Sequence, residues 1–96
     1  MIVVIAALQA KPGQEAELIS VMKELTAAVR AEEKDTLDYT LHRSQRDHSR
    51  FLVYEKYRSA DAMKAHLASP HFQAAAKKLG AILQGGLGVE TYKVVE

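Results

Sequence analysis

The chain opens on a continuous apolar run, Ile2-Val3-Val4-Ile5-Ala6-Ala7-Leu8, rich in β-branched residues. Unbroken apolarity predicts a strand covered on both faces. Helices can cover one face; the other needs a second sheet, most simply that of a second subunit. Lys11-Pro12-Gly13 then turns the chain. From Gln14 to about Arg30, Leu18, Met22, Leu25 and Val29 recur at helical spacing, and Ile19, Val21 and Ala28 widen the stripe. Glu15, Glu17, Lys23, Glu24 and Arg30 supply the solvated side, so this segment reads as an amphipathic helix. Glu32-Glu33-Lys34-Asp35 closes it.

Thr36 to Arg43 alternates as a strand, with Leu37, Tyr39 and Leu41 on one face. Ser44 to Ser49 is polar and turn-like. Phe51 to Tyr57 alternates again, placing Phe51, Val53, Glu55 and Tyr57 opposite Leu52, Tyr54 and Lys56. The short connection predicts an antiparallel hairpin. Ser59 is a good N-cap, and Met63, His66 and Leu67 fall on one side of the helix it starts. Ser69-Pro70 reads as a fresh N-cap followed by proline at the first helical position, so a second helical piece begins there at a new angle. Phe72, Ala76, Leu79 and Leu83 form its predicted buried stripe, Gly85-Gly86 its stop, and Val89 to Val95 a fourth strand.

The order β-α-β-β-α-β predicts an α+β fold, the ferredoxin-like plait, with a four-stranded antiparallel sheet and the helices on one face. Ninety-six residues fit one domain, 1–96. The composition, 48% hydrophobic and 26% charged, is that of an ordinary globular chain rather than a disordered one. A formal net charge of +1 gives no pull toward nucleic acid or an anionic membrane. The chain has no cysteine, which removes disulfides, thiolate metal sites and cysteine nucleophiles. The N-terminal apolar run lacks a basic leader, and no run reaches the roughly 20 apolar residues of a membrane span. The expectation is a cytoplasmic protein.

Candidate chemistry concentrates between Phe51 and Phe72. His66 lies on the inner side of a helix, either as a proton-transfer group or as a helix histidine bonded to a backbone carbonyl. Glu55 lies in a strand between apolar and aromatic neighbours, so it is functional or paired with a Lys or Arg. A metal site is not expected, because His66 and His71 are separated by the Ser69-Pro70 break and no acidic cluster accompanies them. Dinucleotide, phosphate-loop and nucleophile-elbow motifs are absent. Arg50-Phe51-Leu52-Val53-Tyr54-Glu55-Lys56-Tyr57 begins like an RNA-binding strand, but it lacks that motif's small residues and the first strand has no aromatic.

Lys11-Pro12-Gly13, Thr36 to Arg43, Phe51 to Tyr57 and Ala65-His66-Leu67-Ala68-Ser69-Pro70-His71-Phe72 together resemble the antibiotic biosynthesis monooxygenase domain, in particular its quinol monooxygenase-like members. The resemblance implies a dimeric α/β barrel, a homodimer with its two sheets packed together and a pocket between sheet and helices in each subunit. It also implies oxygenation of a small phenolic, hydroquinone or polyketide-like substrate by dioxygen, without flavin, haem or metal and hence with no cofactor. Within it, His66 would act as base or proton shuttle with Glu55 supporting it, and Tyr39, Tyr57 and Phe72 would line the substrate site. Asp35 stands where many relatives carry Gly. The haem-degrading branch is similar in fold, but the matching places hold Ala6, His66 and Ala76, so haem degradation is not implied. A further branch, similar around Tyr54-Glu55 and Pro70-His71, processes a phosphorylated signalling sugar. The alternatives are therefore an isomerase or lyase of a small carbonyl or phosphorylated metabolite, and a ligand-binding dimer without turnover.

Overall fold

Continuous apolar and alternating segments become four strands, and the 3.6-residue stripes become three helices. The computed structural model describes residues 1–96. In chain order the elements are β1 (Ile2–Gln9), α1 (Glu15–Glu32), β2 (Thr36–Arg43), β3 (Arg50–Tyr57), α2 (Ala60–Ala68), α3 (Pro70–Ile82) and β4 (Gly88–Lys93). The strands form one antiparallel sheet in the order β2-β3-β1-β4. Gly13, at φ +83°, makes the turn into α1, a backbone region in which side chains with a Cβ are disfavoured.

The helices cover one sheet face. Leu18, Val21, Met22, Leu25 and Val29 of α1 and Ala75, Leu79 and Ile82 of α3 pack with Ala6, Leu8, Tyr39, Phe51 and Val53 from the strands. The helix-covered face of β3 is therefore the one that also bears Glu55 and Tyr57, both buried. The opposite sheet face has no covering layer. Val3, Ile5 and Tyr54 are half-buried there, and Leu52 and Ala7 are exposed. All six residues of the edge strand β4 are exposed.

Two details depart from simple alternation. Leu37 does not share the inner face with Tyr39 and Leu41, because a β-bulge between Thr36 and Asp38 shifts the register and leaves Leu37 exposed. In α3 the buried stripe runs through Ala75, Leu79 and Ile82, with Phe72 and Leu83 half-buried and Ala76 exposed. The helix also ends before Gly85-Gly86, with Leu83 already extended as its C-cap.

Ser69 ends one helix and begins the next. Its hydroxyl accepts from the Phe72 N–H (3.2 Å) at the start of α3 and donates to the His66 carbonyl (2.7 Å) at the end of α2. With Pro70 following it, the two helices cannot fuse into one. Replacing Ser69 by Ala should cost about 1 kcal/mol of unfolding free energy. Urea denaturation, with an unchanged dependence on denaturant, is the check; no loss would show that the cap contributes nothing.

Candidate active site

Glu33 is the C-cap of α1. Its N–H still bonds to the Val29 carbonyl, but its backbone has turned extended (φ −110°, ψ 92°), so the chain leaves the helix axis here. Two contacts fix the following turn against the start of α2: the Arg58 N–H donates to the Asp35 carbonyl (2.9 Å), and Arg58 Nε meets Asp35 Oδ1 at 3.1 Å. The side-chain pair is exposed and contributes little on its own. The backbone bond holds the Glu33 loop beside the β3–α2 connection.

The Glu33 carboxylate thereby reaches both sides of the Ser69-Pro70 break. Oε1 accepts from the Thr36 hydroxyl at 2.5 Å. Oε2 lies 2.9 Å from His66 Nδ1, and a short contact joins it to His71 Nε2. Burial pushes the Glu33 carboxyl up, but hydrogen bonds from His71, Thr36 and His66 outweigh it and hold the group below the usual carboxylate range. An ionised carboxylate only accepts, so the histidine nitrogens facing it carry protons.

His66 is 1% exposed. Burial lowers its pKa against the opposing pull of Glu33, favouring the neutral ring. A neutral ring with its proton on Nδ1 has a free lone pair on Nε2. That atom is the one fully buried side-chain polar atom of the chain without a hydrogen-bond partner. The ring lies among aromatics, with centroids 4.9 Å from Phe72, 5.1 Å from Tyr39 and 5.6 Å from Tyr57.

Glu55 is supported differently from a surface ion pair. The Tyr57 hydroxyl donates to its Oε1 at 2.5 Å, and no Lys or Arg reaches it. Burial raises its pKa to about 7, the Tyr57 bond opposing and Glu33 adding to the rise. Burial also raises both Tyr39 and Tyr57 far above an ordinary phenol, so both remain protonated.

The expected residues thus converge on one region: His66, Tyr39, Tyr57 and Phe72 form one packed cluster, with Glu55 bonded to Tyr57. The carboxylate that orients His66 is Glu33, while Glu55 makes its bond to Tyr57. The sequence pattern does not mark Glu33 and His71 for this role. The charged run Glu32-Glu33-Lys34-Asp35 reads as a solvated helix end, and the helix break conceals the direction of His71. A cleft of about 400 Å³ opens beside the cluster, bordered by Glu33, Thr36, His66, Ser69 and His71. A larger cavity of about 700 Å³ lies at the opposite end of β1 and β3, near Arg43, Arg50 and Gln84. None of these three is buried, whereas the smaller cleft borders the buried His66.

Glu55 supplies a pH test. The unfolded chain ionises it near the ordinary 4.5, the folded chain near 7. Between those values the folded state keeps a proton the unfolded state has lost. The stabilising contribution is therefore complete below about pH 4.5 and is lost as pH rises through about 7. A gap of this size corresponds to about 3 kcal/mol. Glu55→Gln should gain stability over the wild type by up to that amount between about pH 5 and pH 8. Parallel unfolding curves for the two proteins at both pH values would exclude it.

Comparison with known proteins gives the lineage. The family model described as "Antibiotic biosynthesis monooxygenase" matches residues 1–78. A Caulobacter crescentus protein, named as a candidate antibiotic biosynthesis monooxygenase, is 36% identical, with 99% of this chain and 90% of that one covered and a TM-score of 0.94. A protein of the same description from Deinococcus radiodurans is 25% identical over 100% of this chain and 94% of that one, TM-score 0.91. A Pseudomonas aeruginosa protein is 26% identical over 99% and 94%, TM-score 0.90. No curated protein matches. The match to the family model over most of the chain and the likeness of fold agree: the chain belongs to the antibiotic biosynthesis monooxygenase family.

Proposed function

We propose that the protein is a cofactor-independent monooxygenase that oxidises a small phenolic or hydroquinone-type compound with dioxygen. The observation that carries the reading is His66: buried, held through Nδ1 by an ionised Glu33, with an unpartnered Nε2 among three aromatic rings. Such an arrangement makes Nε2 a proton acceptor of fixed direction. Its imidazolium form would be stabilised by Glu33, as a buried cation requires.

The chemistry balances without an added reductant. Nε2 takes the phenolic proton, and the electron-rich anion gives one electron to dioxygen. Recombination of the two radicals forms a C–O bond and a peroxide. Loss of water, with the ring C–H as proton source, leaves a carbonyl. The sum is phenol plus dioxygen to quinone plus water. Glu55, which changes ionisation near neutral pH, and the Tyr57 hydroxyl bonded to it supply a second proton reservoir beneath the ring. Phe72 is the half-buried member of the three rings and is the one whose displacement would admit substrate. The adjoining cleft of about 400 Å³ suits a ring-sized molecule.

The uncovered sheet face supports the homodimer. Val3, Ile5, Leu52 and Tyr54 stand on it with Tyr92 of β4, an apolar surface that a second copy would remove from water. The wild type should sediment at twice 10.6 kDa, and Leu52→Glu should shift it toward the monomer. A monomer at every concentration would exclude this part of the reading.

Dioxygen uptake with a panel of hydroquinones tests the activity. His66→Gln, which keeps a polar side chain of similar size, should reduce turnover by roughly 10²–10⁴-fold, and Glu33→Gln by less. Uptake that is absent throughout, or unchanged by His66→Gln, would remove the assignment.

A further inference from the structure

Glu33, His66 and His71 are a donor set as well as a hydrogen-bonded one. One carboxylate oxygen and two imidazole nitrogens, from three different elements, lie within 4.8 Å of one another. We propose that Glu33 Oε2, His66 Nδ1 and His71 Nε2 form a binding site for one exchangeable divalent transition-metal ion, entered from the cleft beside α2 and α3.

The spacing already approaches what an ion requires. Donors at about 2.0–2.2 Å from a common metal lie roughly 3–3.5 Å apart. His66 Nδ1 and Glu33 Oε2 stand at 2.9 Å. His71 has to withdraw from Glu33, loosen the 3.7 Å contact of its Nδ1 with Glu32, and close on His66 within the 4.8 Å that bounds the three donor atoms. Its side chain is 15% exposed, against 1% for His66, and it borders the cleft. The same opening admits the waters that complete the coordination. Two imidazoles with one carboxylate and open positions suit zinc, cobalt or ferrous iron rather than calcium or magnesium, which take oxygen donors.

The surroundings set how tightly the ion is held. Thr36 fixes the other carboxylate oxygen at 2.5 Å, the outer contact that orients a ligating carboxylate. His66 has no such support, since its Nε2 has no acceptor. A resident metal centre normally has that bond, and its absence points to an ion that exchanges. Occupancy would also have a consequence that rests on the proposed oxygenase reading. An ion on Nδ1 moves the ring proton to Nε2, so His66 could no longer accept one from substrate.

Titration of the full-length, chelator-treated protein with Co²⁺, followed by visible absorption and calorimetry, tests the site. One ion per chain is expected, with absorption bands of nitrogen and oxygen ligation. His71→Ala and Glu33→Gln should each weaken binding by at least about tenfold, with circular dichroism confirming the fold. His71 is the peripheral ligand, so its variant keeps the test open if Glu33→Gln does not fold. The double variant His42→Ala, His48→Ala should bind as the wild type does. No saturable binding, binding indifferent to His71→Ala, or binding lost with His42 and His48 would each overturn the site. Because the readout is binding, a negative result with hydroquinone oxidation intact removes the metal site alone. Binding together with no oxidase activity in the metal-free, chelator-treated protein removes the oxygenase reading alone.

Discussion

A single carboxylate ties together four segments of the fold. Glu33 leaves the end of α1, is gripped by Thr36 at the start of β2, and accepts from His66 in the last turn of α2 and from His71 in the first turn of α3. Its side chain is 12% exposed, so burial by itself would favour protonation. Three donors reverse that preference, and the N-terminal turn of α3 favours an anion beside it. Removing one donor would leave a partly desolvated charge short of partners, a costlier state than either the complete network or an apolar substitute. The cluster therefore behaves as one unit, and the orientation of His66 follows from it.

Beneath that unit the sheet carries a second polar pair in an apolar layer. Glu55 and Tyr57 occupy positions on β3 that alternation reserves for core residues, next to Val53 and Phe51. A carboxyl there survives because it is near its ionisation point at neutral pH and bonded to a phenol that keeps its proton. Local consistency is broken at one end of the sheet and kept at the other. Near Ala10, Leu8 and Phe51 the same face of β1 and β3 carries apolar core residues. Departures from pattern confined in this way are expected at functional or strained sites.

Much of this was legible in the sequence. The strand and helix order, the Ser59 cap and the Ser69-Pro70 break follow from short-range signals that the structure repeats within a residue or two. Leu37 leaves the inner face because a bulge adds a residue that the two-residue period cannot reveal. Ala75 rather than Ala76 is the buried position, because small residues at 74–76 make the helical stripe ambiguous by one position. The face of β3 that meets the helices was open from sequence, since both faces hold apolar and aromatic residues. Glu33 was invisible because a carboxylate one residue past a helix end resembles any solvated charge. Only the tertiary path back over the α2–α3 junction distinguishes it.

That junction also explains why two histidines five residues apart can share a partner. In one continuous helix they would project about 140° apart, and no single carboxylate could meet both. Ser69, extended at φ −68° and ψ 149°, ends α2 and restarts the chain as α3. The new axis turns His71 back toward His66, and their ring centroids come within 6.4 Å. The break places His66 at the wall of the hydrophobic core and His71 at its rim. One histidine is thereby shielded from water and the other left within its reach. Both bond to Glu33, so a single carboxylate oxygen links the exposed ring to the buried one.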